Sequence, residues 1–106
     1  MKKAVIFDMD GTLWDTTPLL KEVWNETLQR HEETRGRYLS LEEIRSLMGK
    51  TMYEIGELTM ANVPEEKRTE IFEDCIDDED NALIMRGGTL YPGLEEAMAK
   101  LKDMGF

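Results

Sequence analysis

The chain opens with a short apolar run that ends on two aspartates, and this run constrains the fold more than any other segment. Residues 4–7 read Ala-Val-Ile-Phe, and Asp8 and Asp10 follow before Gly11. An uninterrupted apolar run with β-branched residues is typical of a strand buried on both faces, as in a parallel sheet. Ligands bind beyond the carboxyl ends of such strands, so we expect Asp8 and Asp10 to lie at the functional edge.

The spacing of the two aspartates indicates metal-assisted phosphate chemistry. On an extended backbone the side chains of Asp8 and Asp10 point to the same side. Mg²⁺ takes oxygen ligands, usually one or two carboxylates completed by water and substrate phosphate. Asp8 can then attack phosphorus to give an aspartyl-phosphate, and Asp10 can act as general acid and afterwards as general base. Gly11 allows close approach to phosphate, and Thr12 can hold the Asp8 carboxylate.

Two other interpretations of the aspartates are weaker. Acidic residues with Gly and Thr are common in solvated turns, but a turn does not explain the apolar run that ends on Asp8. A calcium loop of the EF-hand type that begins at Asp8 would need Gly at the position of Leu13 and Glu at that of Leu19. Neither position carries the required residue.

The composition is that of one small globular domain. The chain has 106 residues, 41% of them hydrophobic and 34% charged, with a formal net charge of −10. Such acidity argues against nucleic acid as a partner, because a phosphate backbone would be repelled. No apolar stretch is long enough for a signal peptide or a membrane span. Cys75 is the single cysteine, which excludes an internal disulfide and favours the cytoplasm.

Residues 17–88 have the apolar spacing and the end signals of four amphipathic helices. The first is predicted to have Thr17 as its N-cap and Pro18 at its first helical position, and to run to about His31. The longest is predicted to begin near Pro64 and to end at Gly87. The acidic run at 77–80 falls on this helix, where we expect a solvated face.

Two shorter helices are predicted between these. Ser40 with Glu43, and Thr51 with Glu54, have the spacing of capping boxes. Gly49 ends the first of the two. The residues that the helical period turns inward are Leu20, Val23, Trp24, Thr27, Leu28, Leu41, Ile44, Leu47, Met48, Met52, Ile55, Leu58, Thr59, Ile71, Phe72, Cys75, Ile76 and Leu83. Short connections predict an antiparallel four-helix bundle.

The aspartate segment resembles the first motif of the haloacid dehalogenase superfamily, on the residues Asp8-Met9-Asp10-Gly11-Thr12-Leu13-Trp14-Asp15-Thr16. True dehalogenases of this family lack the second aspartate, so the resemblance is to its phosphatases and phosphomutases. It implies that Asp8 is the nucleophile and Asp10 the general acid and base. Met9, Gly11 and Thr12 would complete the loop around the nucleophile and the phosphate. The implied Mg²⁺ is bound by the Asp8 carboxylate and the backbone carbonyl of Asp10.

The resemblance also implies an α/β fold, a Rossmann-like core with an inserted helical cap. Residues 1–16 would be the core strand and nucleophile loop, 17–90 the cap, and 91–106 the start of the returning core, with a helix whose Leu94, Ala97, Met98 and Leu101 face the sheet. This chain would itself be mostly helical. Lys50 falls in the central loop of the cap, where related caps contact substrate.

The remaining motifs of the family are a Ser or Thr, a Lys and an acidic pair, and all would lie beyond Phe106. We therefore expect the 106-residue chain alone to be inactive. We expect it to be the N-terminal portion of a protein of roughly 200 to 230 residues, since a complete core needs several more βα units. A lone strand also favours dimerisation or exchange of that strand between copies.

The sequence thus predicts a magnesium-dependent phosphatase of a small phosphorylated metabolite. Sugar phosphates, phosphoglycolate and nucleoside monophosphates remain open as substrates. One alternative is a phosphomutase resembling β-phosphoglucomutase, which protects its phosphoaspartate from water. The other is a fragment or interaction module without catalysis, built from the helical bundle.

Overall fold

A computed structural model describes all of residues 1–106. The chain forms two compact units. Residues 17–87 make one, here called the helical unit, and residues 1–16 with 88–106 make the other, here called the terminal unit. Each is described by itself below. No helix in either unit combines the length and the apolar character that crossing a membrane requires.

Four α-helices build the helical unit, in the predicted order along the chain. They are α1 (Thr17–Arg30), α2 (Leu41–Leu47), α3 (Met52–Thr59) and α4 (Glu65–Arg86), with a 3-10 turn at Glu32–Thr34. Both predicted capping boxes are present. At the first, the Glu43 amide donates to Ser40 Oγ at 3.1 Å and the Ser40 amide donates to Glu43 Oε1 at 3.3 Å. Orphan amides of the first turn are thereby satisfied.

The core of the helical unit is centred on the contact between α1 and α4. The rings of Trp24 and Phe72 meet edge to face, with centroids 5.4 Å apart and an interplanar angle of 81°. Ile71 and Cys75 are also buried, as predicted. The full core cluster is Leu20, Trp24, Leu28, Leu39, Ile44, Leu47, Met60, Val63, Ile71, Phe72 and Cys75. Burying one such large side chain contributes about 1.5–3 kcal/mol.

The acidic run on α4 is only in part the solvated face that the sequence predicts. Asp77 and Asp80 are exposed, whereas the other two members bond to α1. Trp24 Nε1 donates to Glu79 Oε2 at 2.9 Å. Thr27 Oγ1 donates to Asp78 Oδ2 at 2.7 Å, and Arg30 pairs with the same carboxylate. These side chains supply acceptors for the polar groups of α1 that lie beside the apolar core.

Three residues predicted to face inward are instead exposed. Met48 caps the end of α2 in an extended conformation, so its side chain leaves the apolar face of that helix. On α3 the buried side is formed by Gly56, Thr59 and the following Met60. Met52 and Leu58 lie off that side and are exposed. The predicted face of α3 is therefore rotated relative to the observed one.

Two very short strands and one helix make up the terminal unit. The strands β1 (Trp14–Asp15) and β2 (Thr89–Leu90) pair antiparallel, with Trp14 opposite Leu90. The helix α5 (Leu94–Asp103) follows the left-handed Gly93. Its Leu94, Met98 and Leu101 are half-buried, whereas Ala97 is exposed.

The predicted strand over residues 4–7 is wrong for this structure. These residues have no regular secondary structure, and the side chain of Ile6 is 97% exposed. A strand buried on both faces needs a partner on each side. The sheet of the structure consists of β1 and β2 alone, and neither of them pairs with residues 4–7. The chain is thus mainly helical with a two-stranded sheet, and it does not itself contain the Rossmann-like sheet of the predicted core.

Replacing Ile71 with Ala should unfold the helical unit at lower denaturant. Ile71 is fully buried, and deleting its side chain leaves a cavity, so we expect a loss of about 2–5 kcal/mol in the free energy of unfolding. Ile84→Ala is the matched control on the same helix, because Ile84 is 80% exposed, and its effect should stay within about 0.5 kcal/mol. Urea unfolding followed by circular dichroism measures both. Equal losses would contradict the assigned core.

Asp78→Asn should reduce the acid sensitivity of the fold. The hydrogen bonds from Arg30 and Thr27 lower the pKa of Asp78 in the folded state. Its contribution to stability is therefore present above the unfolded pKa and is lost as the pH falls through the lower folded pKa. The free energy of unfolding should fall less steeply with acid in the variant than in the wild type.

The measurement is urea unfolding at several pH values, from above the ordinary aspartate pKa of about 3.9 to well below it. Asp80→Asn, on the exposed side of the same helix, is the control and should follow the wild-type profile. Parallel profiles for Asp78→Asn and wild type would contradict the role assigned to the Arg30 and Thr27 contacts.

Candidate functional site

The aspartates lie in a tight turn that the backbone closes on itself. The carbonyl of Met9 accepts from the amides of Thr12 at 3.2 Å, Leu13 at 2.9 Å and Trp14 at 3.4 Å. The Gly11 amide donates to the Trp14 carbonyl at 3.0 Å. Gly11 has a φ of 76°, a left-handed conformation that glycine adopts without strain. The segment predicted as the nucleophile loop is therefore a compact turn.

Both carboxylates are exposed, and each is oriented by a neighbour within the turn. Asp8 Oδ1 accepts from the Met9 amide at 3.0 Å. Asp10 Oδ1 accepts from the indole Nε1 of Trp14 at 2.8 Å. The sequence suggests that Thr12 holds Asp8, but the Thr12 amide donates to the Met9 carbonyl instead. The turn itself uses that donor, which leaves the adjacent Met9 amide to orient Asp8.

The donor chemistry of Asp8 and Asp10 suits a hard divalent cation. Mg²⁺ is commonly bound through one or two carboxylates, with water and substrate phosphate as its other ligands. The structure contains no cluster of three or more His, Cys, Asp or Glu side chains arranged to hold a metal. A cation bound by these two aspartates would therefore have to take its other ligands from water and substrate.

The residues predicted for the site fall in different units. Asp8, Met9, Asp10, Gly11 and Thr12 share one turn of the terminal unit, whereas Lys50 belongs to the helical unit. Lys50 follows the left-handed Gly49 and is exposed.

A hollow of about 200 Å³ opens beside Lys50 within the helical unit. Trp24, Phe72 and other apolar side chains form most of its wall. Glu79 is the acidic side chain of this wall, and Lys50 is the basic one. The hollow thus combines an apolar interior with one charge of each sign.

Cys75 and His31 are of residue types that often act in catalysis, but both have structural roles here. Cys75 is buried, and this burial, reinforced by the nearby Asp78 and Asp74, raises the pKa of its thiol to about 12. Such a thiol is a poor nucleophile, which agrees with its predicted place in the core. His31 Nε2 lies 2.8 Å from Asp74 Oδ2, so the histidine is tied to α4.

Trp14 contacts this site, although its sequence position predicts no role for it. Its indole contacts Asp10, and its ring lies against Gly88. A Cβ added at Gly88 would lie 3.0 Å from the Trp14 ring. The spacing of four between Asp10 and Trp14, across a glycine turn, is the only sequence signal for the contact, and many turns share it.

A curated relative supports the interpretation of the turn as part of a hydrolase. The chain is 33% identical over 112 residues to a phosphoglycolate phosphatase from Rhodobacter capsulatus. The match covers 99% of this chain and 48% of that protein, so the chain spans about half the length of the relative. No solved structure matches the chain significantly.

The family comparison covers almost the whole sequence. Residues 2–106 match the family model described as haloacid dehalogenase-like hydrolase, and the match includes the turn with both aspartates. The chain therefore belongs to the haloacid dehalogenase-like hydrolase family.

Proposed function

We propose that the chain is part of a magnesium-dependent phosphatase that hydrolyses a small phosphorylated metabolite through an aspartyl-phosphate on Asp8. The observation that carries the proposal is the compact turn that holds Asp8 and Asp10 two residues apart in a chain of this hydrolase family. The relative from Rhodobacter capsulatus, a phosphoglycolate phosphatase, supports phosphate ester hydrolysis as the general reaction.

In the first half of the proposed reaction an oxygen of the Asp8 carboxylate attacks the phosphorus. The bond between phosphorus and the ester oxygen breaks, and protonated Asp10 gives its proton to that leaving oxygen. The products are the alcohol and a phosphorylated Asp8. The Asp8 side chain is exposed in the structure, as a group that attacks a substrate from solvent must be.

In the second half, ionised Asp10 takes a proton from water while the water oxygen attacks the phosphorus. The acyl-phosphate bond to Asp8 breaks, which releases inorganic phosphate and restores both carboxylates to their starting states. Bound Mg²⁺ would neutralise charge on the phosphate oxygens and on Asp8. The Asp8 carboxylate and the Asp10 carbonyl are the groups proposed to hold it.

The helical unit is proposed as the cap that selects the substrate and excludes water from the reaction. The cap predicted from the sequence spans residues 17–90, between the core segments 1–16 and 91–106, and its residues 17–87 are the helical unit. Lys50 is proposed as a substrate contact, because an exposed ammonium beside an apolar hollow can attract the negative charge of a phosphorylated metabolite. Phosphoglycolate is the first substrate to test, on the name of the relative.

We assign the activity to a protein in which this chain is accompanied by further core segments, since the relative is about twice as long. Those segments would supply the Ser or Thr, the Lys and the acidic pair of the family. The extended protein, meaning this chain joined to such further core segments, is the form to assay. A cytoplasmic location, proposed from the lone buried Cys75, suits an enzyme that acts on metabolites.

Asp8→Asn should abolish hydrolysis in the extended protein. Removing the nucleophile should lower kcat for p-nitrophenyl phosphate by about a thousandfold or more. Asp80→Asn is the matched control, because it makes the same chemical change on an exposed part of α4 and should leave kcat within about twofold. Activity that survives Asp8→Asn would contradict the proposal.

A hexose 1-phosphate that is isomerised without phosphate release would identify a phosphomutase instead.

Removal of divalent metal should abolish the same activity reversibly. Incubation with EDTA, followed by dialysis, should reduce hydrolysis to background, and added Mg²⁺ should restore it. The two carboxylates and the phosphate ester are all negatively charged, so a cation has to offset their repulsion. Phosphate release measures the effect. Full activity in the presence of EDTA would contradict the proposed metal.

A further inference from the structure

The indole of Trp14 holds the carboxylate that the proposed reaction uses for proton transfer. Trp14 Nε1 donates to Asp10 Oδ1 at 2.8 Å. We infer that Trp14 is a positioning residue for Asp10, and that the absence of a side chain at Gly88 keeps the indole in place. This inference rests on the proposed function, since it concerns how precisely Asp10, the proposed general acid, is oriented.

The backbone of Trp14 is fixed from two sides of the terminal unit. Its carbonyl accepts from the Gly11 amide at 3.0 Å, which ties it to the aspartate turn. In β1 it lies opposite Leu90 of β2, and the Tyr91 amide donates to the neighbouring Leu13 carbonyl at 3.3 Å. The indole thus projects from a backbone that cannot move without breaking either the turn or the ribbon.

The indole ring is fixed by its contact with Gly88. A Cβ at position 88 would lie 3.0 Å from both Cδ2 and Cε3 of Trp14 and 3.1 Å from Cγ2 of Thr16. Gly88 is not among the glycines with a positive φ, so its backbone conformation is open to other residues. A side chain at this position would therefore clash with the Trp14 ring, although it would not strain the backbone.

The orientation of Asp10 matters because proton transfer depends on short distances. A general acid acts only within hydrogen-bond reach of the leaving oxygen, and a displacement of about 1 Å can cost a hundredfold in rate. An exposed aspartate samples several rotamers. With Oδ1 engaged by the indole, Asp10 is held in one rotamer, and Oδ2 is the oxygen left to exchange a proton with the substrate.

The contact itself is tested by the indole signals in a ¹H–¹⁵N spectrum of the 106-residue chain. The chain has two tryptophans, and each donates its indole N–H to a carboxylate, Trp14 to Asp10 and Trp24 to Glu79. Asp10→Asn should shift the Trp14 signal and leave that of Trp24 in place, while Glu79→Gln should do the reverse. A Trp14 indole signal whose chemical shift is unchanged in Asp10→Asn overturns the inference.

The positioning role is tested by two esters that differ in their need for a proton. The p-nitrophenolate ion leaves readily without protonation, whereas an alkoxide does not. Trp14→Phe keeps an aromatic ring but removes the donor, so kcat/KM for an alkyl phosphate such as phosphoglycolate should fall about tenfold, while that for p-nitrophenyl phosphate should fall no more than about twofold. The ratio of the two values is the readout, since a general loss of fold lowers both equally.

A second variant reaches the same indole from its other side. Gly88→Ala should displace the ring and change the ratio in the same direction as Trp14→Phe, with the Trp14 indole signal shifted as well. Gly56→Ala is the control, because a Cβ there meets only Arg68 Cδ, at 3.6 Å, and the ratio should not change.

An equal fall for both esters in Trp14→Phe overturns the positioning role and leaves the proposed function intact. Failure of the proposed function shows itself separately, as hydrolysis that survives Asp8→Asn, and it removes the basis of this inference as well.

Discussion

The contact between α1 and α4 is the interaction on which the helical unit depends. Trp24 and Phe72 form its centre, and Ile71 and Cys75 extend it along α4. The helices α2 and α3 are only 7 and 8 residues long, and helices of this length are marginal without packing. Their apolar faces rest on the α1 and α4 pair, so they share its stability. The capping boxes fix where these short helices begin, but burial keeps them folded.

The terminal unit differs from the helical unit, because hydrogen bonds within a turn and a two-stranded ribbon define its structure more than apolar burial does. None of the residues of α5 is fully buried, and the apolar residues 5–7 are exposed. What is well defined is the aspartate turn, closed by three amides on one carbonyl and held to β2 through Trp14. The residues proposed for the site therefore occupy the part of the unit that depends least on a hydrophobic core.

The sequence predicted the parts of the structure that local chemistry determines. The starts of α2 and α3 follow from Ser40 and Thr51, whose side chains cap the amides three residues later. Residues 4–7 failed as a strand because pairing is a property of neighbours, and no local pattern supplies a partner. The bonds from α1 to Asp78 and Glu79 escaped prediction for the same reason, since their partners lie about fifty positions away in sequence. At the candidate site, the roles of Asp8 and Asp10 stay predictions from their spacing, and the contact of Trp14 with Asp10 depends on how the turn closes.

The buried thiol of Cys75 has a consequence for the chemical durability of the chain. Oxidants and alkylating agents react with the thiolate, and the raised pKa of this side chain makes that form very rare near neutral pH. The sulfur can become reactive only when α1 and α4 separate far enough to admit water. Oxidation or alkylation at this position is therefore limited by how often the fold opens.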